Sequence, residues 1–400
     1  MRMPSYRRMC KLWWILRGKG NPNFVKNLDG GNSNLPYRAL IYQLTDPHVC
    51  PGIVKSYSHT NLWESVEMVR ILNSYGFVVD VIDRAEDNYL PTNSYDLFIG
   101  LGAGRSGKHF SKYAQALPKA IKILLAAGPE PILSNRLVQE QYDRFNRRHN
   151  SNVPAMRLTS GINFSAFLES TDYILAIGEQ GQFCSESYKE TGKPILTFLP
   201  GTNQDIKFIP EWLETRSLNN FLCFAGHGFI CKGVDLLVEA FLEMPDLNLF
   251  ICGPDSEKEF FNILGDKIKS ASNIQYLGFV SVNGPKFSEL LGVCAFVIFA
   301  SSSEGCGTSV ATAMRGGLVP ILTREVGINI GDFGYLLSGR REDMIKQIKS
   351  KSYIASSSTE DEYRKRVYGT IKDSLKYTQA SFTTTFSQAI LRVLEDRIYS

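Results

Sequence analysis

The sequence predicts an α/β protein made of two doubly wound domains whose parallel sheets face a cleft. Three observations indicate this class. The chain has 400 residues, which is too many for one ordinary core. Nearly continuous apolar segments, typical of strands buried on both faces, alternate with segments of helical period. The alternation closes near residue 201 and restarts near residue 219, so the chain divides into two similar halves.

The first half contains short apolar runs bounded by turn residues, which predict strands. An amphipathic helix, NLWESVEMVRILNSYG (61–76), separates the first two of them. The predicted strands are RALIYQL (38–44), FVVDVID (77–83), DLFIGLG (96–102), PILS (131–134), YILAIG (173–178) and PILTFLPG (194–201).

The second half restarts the alternation of strands and helices. The predicted strands are NNFLCFAG (219–226), LNLFICG (247–253), IQYLG (274–278), AFVIFA (295–300) and LVPILT (318–323). The predicted helices are 233–244, 257–271, 284–293 and 308–317. The polar stretch KSYIASSSTED (351–361) is interpreted as a short loop.

These patterns set the expected domain boundaries. A basic N-terminal segment covers residues 1–35, and a first α/β domain covers 36–201. A second α/β domain covers 202–378, and a final helix covers 379–400. Because this helix follows the last strand of the second domain, we expect it to pack back across the domain junction.

The N-terminal 20 residues carry six basic residues and no acid, with Trp13 and Trp14 among them. The apolar run of this segment is short and interrupted by charge, so no signal peptide is predicted. No run of about 18 apolar residues occurs in the sequence, so no transmembrane helix is predicted. Peripheral membrane contact through residues 1–20 and a loosely docked segment both remain open. The net charge of +4 is too small to indicate a nucleic-acid partner.

Eight cysteines are scattered without C-x-x-C spacing, several of them inside apolar strands. This distribution predicts free buried thiols and a cytoplasmic location rather than a disulfide framework or zinc site. The residues are Cys10, Cys50, Cys184, Cys223, Cys231, Cys252, Cys294 and Cys306.

Two turns of the second half carry residues suited to a ligand. In FAGHGFICKG (224–233) a strand ends at Gly226, and Lys232 precedes the next helix, which suits a phosphate. In SSSEGCGTS (301–309) Glu304 stands in a turn with two glycines, where a carboxylate can accept from sugar hydroxyls. Each feature also has a purely structural explanation, since turns need glycine and helix starts favour acids.

The second half resembles the nucleotide-sugar-binding domain of GT-B glycosyltransferases, closest to glycosyltransferase family 4. The resemblance covers residues 221–340 and rests on two groups of matching positions. The first group is Gly226, Lys232, Gly233, Asp235, Leu237, Ala240 and Phe241. The second group is Glu304, Gly305, Gly307, Ala313, Met314, Gly317 and, one residue late, Pro320.

The resemblance implies two Rossmann-like domains and transfer of a sugar from a nucleotide-diphosphate sugar, with retention, without metal or cofactor. It implies that Lys232 neutralises the diphosphate and that Glu304 contacts the sugar. The implied donor-binding set is Gly226, His227, Lys232, Glu304, Gly305, Cys306, Gly307, Thr308, Ser309 and Thr312. Thr308 and Ser309 are also expected to cap the helix that follows.

The acceptor is expected on the first half, as a carbohydrate or a lipid-linked molecule. The loop after the first strand ends in His59, Thr60 and Asn61, and His59 is a candidate proton carrier. Thr60 and Asn61 alternatively cap a helix. The basic stretch RFNRRHN (144–150) is interpreted as a solvated helix face.

Departures from the family pattern keep other functions open. His227 replaces the arginine of the pattern and Thr312 replaces its second glutamate, so a degenerate, non-catalytic binding subunit is one alternative. A sugar-nucleotide epimerase of the same fold is another. The spacing of Gly102, Gly107 and Lys108 approaches a phosphate loop, but His109 stands where a Ser or Thr is needed. The sequence contains no D-x-D triplet, so a metal-dependent transferase is not predicted.

Overall fold

The computed structural model of the chain describes residues 3–32, 34–53, 60–84, 86, 89–102, 107–159, 164–202 and 205–398. Within these residues the first half contains strands β1 (Phe24–Leu28), β2 (Tyr37–Gln43), β3 (Phe77–Asp83), β4 (Leu97–Leu101), β5 (Ile121–Ala126), β6 (Tyr173–Ile177) and β7 (Ile195–Phe198). Its helices are α1 (Met3–Leu16), α2 (Asp46–Val49), α3 (Thr60–Ser74), α4 (Gly107–Ala116), α5 (Pro131–His149), α6 (Phe164–Glu169) and α7 (Phe183–Ser187).

The second half contains strands β8 (Ser217–Phe224), β9 (Asn248–Cys252), β10 (Ile274–Tyr276), β11 (Cys294–Phe299), β12 (Val319–Thr323) and β13 (Tyr335–Leu337). Its helices are α8 (Trp212–Thr215), α9 (Val234–Leu242), α10 (Lys258–Ser270), α11 (Pro285–Val293), α12 (Thr308–Arg315), α13 (Met344–Ser356), α14 (Glu360–Ser374) and α15 (Gln379–Ile398).

The described strands form two separate sheets. The first has the order β1-β3-β2-β4-β5-β6-β7 and is parallel except for β1, which pairs antiparallel with β3 at the edge. The second has the order β10-β9-β8-β11-β12-β13 and is parallel throughout. The direction of strand succession therefore reverses between β2 and β4 in one sheet and between β8 and β11 in the other. Such reversals are where doubly wound sheets bind ligands.

The final helix α15 returns to the first domain, as expected. Phe382 and Phe386 pack edge-on against Phe198 of β7, with ring centroids 5.7 and 5.9 Å away. Tyr75 at the end of α3 bonds the hydroxyl of Ser387 at 2.7 Å. The final helix thus packs on the first domain although it follows the second domain in the sequence.

The segment PILS was predicted as a strand, and this prediction is wrong because it forms the first turn of α5. Pro131 occupies the first turn, where its missing N–H is not needed. The Glu130 side chain accepts from the backbone N–H groups of Ile132 and Leu133, at 2.8 and 2.6 Å. The prediction of a loop at 351–361 is also wrong, since α13 continues to Ser356.

The N-terminal segment contains a helix that is fixed to the first domain. Arg7 and Lys11 of α1 form ion pairs with Asp46 at 3.2 and 3.3 Å. Cys10 and Cys50 form a disulfide, with Cα atoms 5.7 Å apart, so the prediction of free thiols is wrong for this pair. The other six cysteines are free and buried, as predicted.

Candidate active site

The two central strands of the second sheet end at the same edge. Strands β8 and β11 pair in parallel, with Phe221 opposite Phe296. The turn after each strand, residues 225–233 and 300–307, therefore projects to the same side. A backbone bond from the N–H of Ser302 to the carbonyl of Cys231, at 3.0 Å, joins the two turns.

Gly233 allows this close approach of the turns. Its φ is +70°, and a Cβ at this position would lie 2.3 Å from the carbonyl oxygen of Ala300. Any side chain here would separate the turns, so the glycine positions Lys232 just before α9. Lys232 is 8% exposed, and its Nζ lies 5.2 Å from the ring centroid of Phe299.

The carboxylate of Glu304 lies between these two turns, at the edge where β8 and β11 end. Its Oε1 atom accepts from Lys232 Nζ, from Arg157 Nη1 at 3.2 Å and from Ser301 Oγ at 3.3 Å. No described residue donates to Oε2. Burial raises the pKa of Glu304, but the charges of Lys232 and Arg157 outweigh it and lower the pKa to about 2. The group is therefore a carboxylate with one oxygen open to a ligand.

Arg157 was not predicted from the sequence. It belongs to the first domain, in an irregular segment after α5, yet it reaches Glu304 of the second. Its φ of +66° is uncommon for a residue with a side chain. A lone arginine in a loop without a motif gives no local signal, and only the tertiary structure brings it to the site.

A first cavity of about 520 Å³ opens beside these residues and contains most of the predicted donor-binding set. His227 Nδ1 is bonded to Ser256 Oγ at 2.8 Å. The Thr312 hydroxyl donates to the carbonyl of Thr308 in its own helix, at 2.7 Å. The predicted residues that line this cavity are Thr60, Gly226, His227, Lys232, Glu304, Cys306, Gly307, Thr308, Ser309 and Thr312.

The start of α12 differs from the prediction in one respect. The N-cap residue is Gly307, and no side chain caps the helix, so Thr308 and Ser309 are wrong as caps. Both residues instead line the first cavity. The N–H of Thr308 donates to the carbonyl of Cys306 at 2.8 Å, and no described residue accepts from the N–H groups of Ser309 and Val310 at the start of this eight-residue helix. This arrangement leaves N–H donors available to an anion.

A second cavity of about 580 Å³ lies on the first-domain side and shares Glu304 and Arg157 with the first cavity. Gly305 lines this cavity rather than the first, and a Cβ there would lie 2.4 Å from the carbonyl oxygen of Ala127. Among the predicted acceptor-side residues, Asn61 lines it, Thr60 lines the first cavity, and His59 lies outside the described residues.

Glu64 is a further ionisable residue of the second cavity, and it was not predicted from the sequence. It is 4% exposed, on α3, and accepts from the N–H of Gly201 at 3.3 Å. Burial raises its pKa to about 7, against a smaller lowering by this bond and by the Thr60 hydroxyl. Helical spacing from Asn61 would have placed it near this face, but only its burial gives it an unusual pKa.

The basic stretch 144–150 is not a solvated helix face. It ends α5 and packs against α9 of the second domain, where Arg148 contacts Asp235 and lies 3.0 Å from Glu239. His149 Nε2 lies 2.9 Å from Glu239 as well. The prediction failed because the acidic partners lie about 90 residues away in the sequence.

Neither a metal-binding cluster nor a membrane-spanning helix occurs among the residues that the structure describes. No group of three or more His, Cys, Asp or Glu side chains is placed to hold a metal ion. No helix within those residues is long and apolar enough to cross a membrane. The phosphate-loop-like stretch 102–109 lies partly outside the described residues.

Residues 205–330 match the family model described as Glycosyl transferases group 1. Over this segment the second domain is similar to the group 1 glycosyl transferases. The match contains both turns of the site, and it confirms the resemblance and the prediction of a glycosyltransferase. No curated protein matches the chain by sequence.

Solved structures share the fold at low sequence identity. Sucrose-phosphate synthase from Thermosynechococcus elongatus has a TM-score of 0.62 and 12% identity, over 90% of this chain and 99% of that one. Anabaena Alr3699/HepE, in complex with UDP and glucose, has a TM-score of 0.54 and 13% identity, over 90% and 100%.

The pneumococcal O-GlcNAc transferase GtfA, in complex with UDP and GlcNAc, has a TM-score of 0.50 and 16% identity. That match covers 75% of this chain, which spans 57% of the GtfA chain. These likenesses confirm the predicted fold of two Rossmann-like domains facing a cleft, the GT-B fold.

Proposed function

We propose that the protein transfers a sugar from a nucleotide-diphosphate sugar to a carbohydrate or lipid-linked acceptor. One observation carries this function: Lys232 and Glu304 are in contact where the strand order of the second sheet reverses, between two cavities. The site thus combines a cation for a leaving phosphate with a carboxylate for a sugar. The proposal is supported by the group 1 domain match and by the UDP and sugar complexes of two proteins of the same fold.

The donor binds in the first cavity with its diphosphate at Lys232 and at the N-terminal amides of α12. Negative charge builds up on the departing diphosphate as the bond to the sugar breaks, and donors already fixed in place stabilise it most effectively. Lys232 and the amides supply this stabilisation, so we propose a reaction without a bound metal ion or organic cofactor. Retention of configuration is proposed from the family resemblance.

The sugar lies between the cavities and donates a hydroxyl to Glu304 Oε2. Because Oε1 is held by Lys232, Arg157 and Ser301, the open oxygen has a fixed position. The acceptor enters the second cavity, beside Asn61 and Glu64. We retain His59 as a proposed proton carrier on this side.

Radiolabelled nucleotide sugars, incubated with and without glycan or lipid-extract acceptors, test this function. We expect label in the acceptor and release of the nucleoside diphosphate. Conversion of the sugar while it remains on the nucleotide would instead show an epimerase. Binding of the nucleotide sugar without any chemical change would show a degenerate binding subunit.

We also propose that α1 contacts anionic lipid at the surface of a membrane. Its inward side carries Arg7, Cys10 and Lys11, which fix it to the first domain. Its outward side is apolar and exposed, with Leu16 the most exposed at 75%. The outward residues recur at helical spacing and are Met9, Leu12, Trp13 and Leu16.

This orientation is the reverse of that expected for a helix on a protein surface, where the apolar side faces the core. Basic residues flank the apolar side, and Arg17 lies 3.5 Å over the Trp13 ring. Apolar insertion and attraction of basic residues to anionic headgroups are the two contributions that hold interfacial helices.

The variant Leu12→Ser/Trp13→Ser tests this contact. We expect it to lose flotation with vesicles that contain anionic lipid, while the wild type floats with these and much less with purely zwitterionic vesicles. The matched control is Tyr353→Ser/Ile354→Ser, which removes two exposed apolar residues from α13 of the second domain. Equal flotation of both variants and the wild type would contradict the membrane role.

A further inference from the structure

Arg157 brings a second cation to the carboxylate that Lys232 contacts, and the two cations come from different domains. Arg157 Nη1 lies 3.2 Å from Glu304 Oε1, the same oxygen that Lys232 contacts. An anion that binds beside this oxygen would therefore meet both cations. We propose that Arg157 binds the donor diphosphate together with Lys232, which rests on the proposed function and assembles the anion site from both domains.

The charges of the first cavity favour this role. Lys232, Arg157 and Glu304 are its charged lining residues besides His227, so the empty site has one excess positive charge. A diphosphate that links a nucleoside to a sugar carries two negative charges. With Arg157 the bound state has one uncompensated negative charge, and without Arg157 it has two. In a partly desolvated cavity this difference is energetically large.

The guanidinium of Arg157 has N–H groups that can donate to a phosphate. Of its N–H groups, Nη1 donates to Glu304, and no described residue accepts from Nη2 or Nε. A guanidinium presents its donors in a planar fork that matches two phosphate oxygens. Arg157 also lines both cavities, and its side chain is 40% exposed, so a ligand at their junction can reach it.

The position of Arg157 is fixed by the second domain. A Cβ at Gly228 would lie 2.8 Å from Arg157 Cδ, so the stem of the arginine packs on the turn that precedes Lys232. The left-handed backbone at Arg157 aims the side chain across the cleft. In the empty site Glu304 serves as the counter-ion that separates the two cations.

Calorimetric titration of the wild type with UDP, GDP and ADP first identifies the diphosphate that binds most tightly. The same measurement with that diphosphate and with its nucleoside then tests the role of Arg157. We expect Arg157→Ala to weaken binding of that diphosphate at least tenfold and to leave binding of its nucleoside unchanged. Arg157→Lys should restore part of the loss, since it keeps the charge without the fork. The matched control is Arg136→Ala, an exposed arginine of the same domain, which should bind as the wild type does.

A second pair of variants distinguishes phosphate binding by Arg157 from a purely structural role, in which Arg157 only orients Glu304. In a Glu304→Gln background, Arg157→Ala should still weaken diphosphate binding by the same factor. Disappearance of the effect in that background, or equal weakening of diphosphate and nucleoside, would overturn the proposal. If the wild type binds no nucleoside diphosphate, both the proposed function and the role of Arg157 fail. Normal diphosphate binding by Arg157→Ala overturns the role of Arg157 alone.

Discussion

Glu304→Gln is expected to lower the rate of sugar transfer by well over tenfold. The substitution keeps the shape of the side chain but removes the charge that makes Oε2 a strong acceptor for a sugar hydroxyl. Affinity for the nucleoside diphosphate should stay the same or rise, because glutamine no longer competes for Lys232. Transfer rate and calorimetric affinity, measured on the same preparation, check both expectations.

The same variant is expected to be less stable, and the loss should depend on pH. Lowering the pKa of Glu304 from 4.5 to about 2 corresponds to about 3 kcal/mol. Because the pKa is lower in the folded state, this contribution is complete above pH 4.5 and is lost as the pH falls toward 2. The difference in unfolding free energy between wild type and variant should therefore shrink below pH 4.5.

Glu325→Gln is the matched control for Glu304→Gln. Glu325 is also ion-paired, with Arg341 at 2.5 Å, but it lines neither cavity. The control should lose some stability and keep its transfer rate. A normal transfer rate for Glu304→Gln, at a temperature where the variant is folded, would reduce Glu304 to a structural residue.

Arg148→Ala is expected to destabilise the folded protein by about 3–5 kcal/mol. Arg148 contacts Asp235, whose side chain is fully buried, so its removal leaves this buried carboxyl group without its cation. Glu239 loses the same partner but keeps its contact with His149. Because Arg148 belongs to the first domain and Asp235 to the second, unfolding of the two domains should also become less coupled. Chemical denaturation, followed by probes in each domain, measures both effects.

Two further variants control the result for Arg148. Arg147→Ala removes the neighbouring exposed arginine of α5 and should change stability little. Adding Asp235→Asn to Arg148→Ala removes the unpaired buried charge and should recover part of the loss. Equal stability of Arg147→Ala and Arg148→Ala would show that the ion pairs of α5 do not hold the domains together.

The sequence alone predicted those parts of the site that lie within one strand, turn and helix start. Lys232 and Glu304 follow neighbouring strands of a parallel sheet, so their approach follows from the order of strands and the edge at which parallel strands end. The fold was predictable for a similar reason, because buried strands and amphipathic helices have different periods.

Other parts of the site depend on contacts between distant segments. Arg157 reaches Glu304 only through the packing of one domain on the other, and no local pattern around it indicates this. The partners of Arg148 are equally distant in sequence. The four-residue segment PILS fits a strand or a helix start equally well, and Pro131 and the Glu130 cap decide for the helix.

A crystal structure with the preferred nucleoside diphosphate and its sugar tests whether Lys232 binds the diphosphate and Glu304 binds the sugar. We expect phosphate oxygens within hydrogen-bond distance of Lys232 Nζ in the first cavity, and a sugar hydroxyl that donates to Glu304. A nucleotide bound at the stretch 102–109, or a sugar that contacts neither Lys232 nor Glu304, would contradict this expectation.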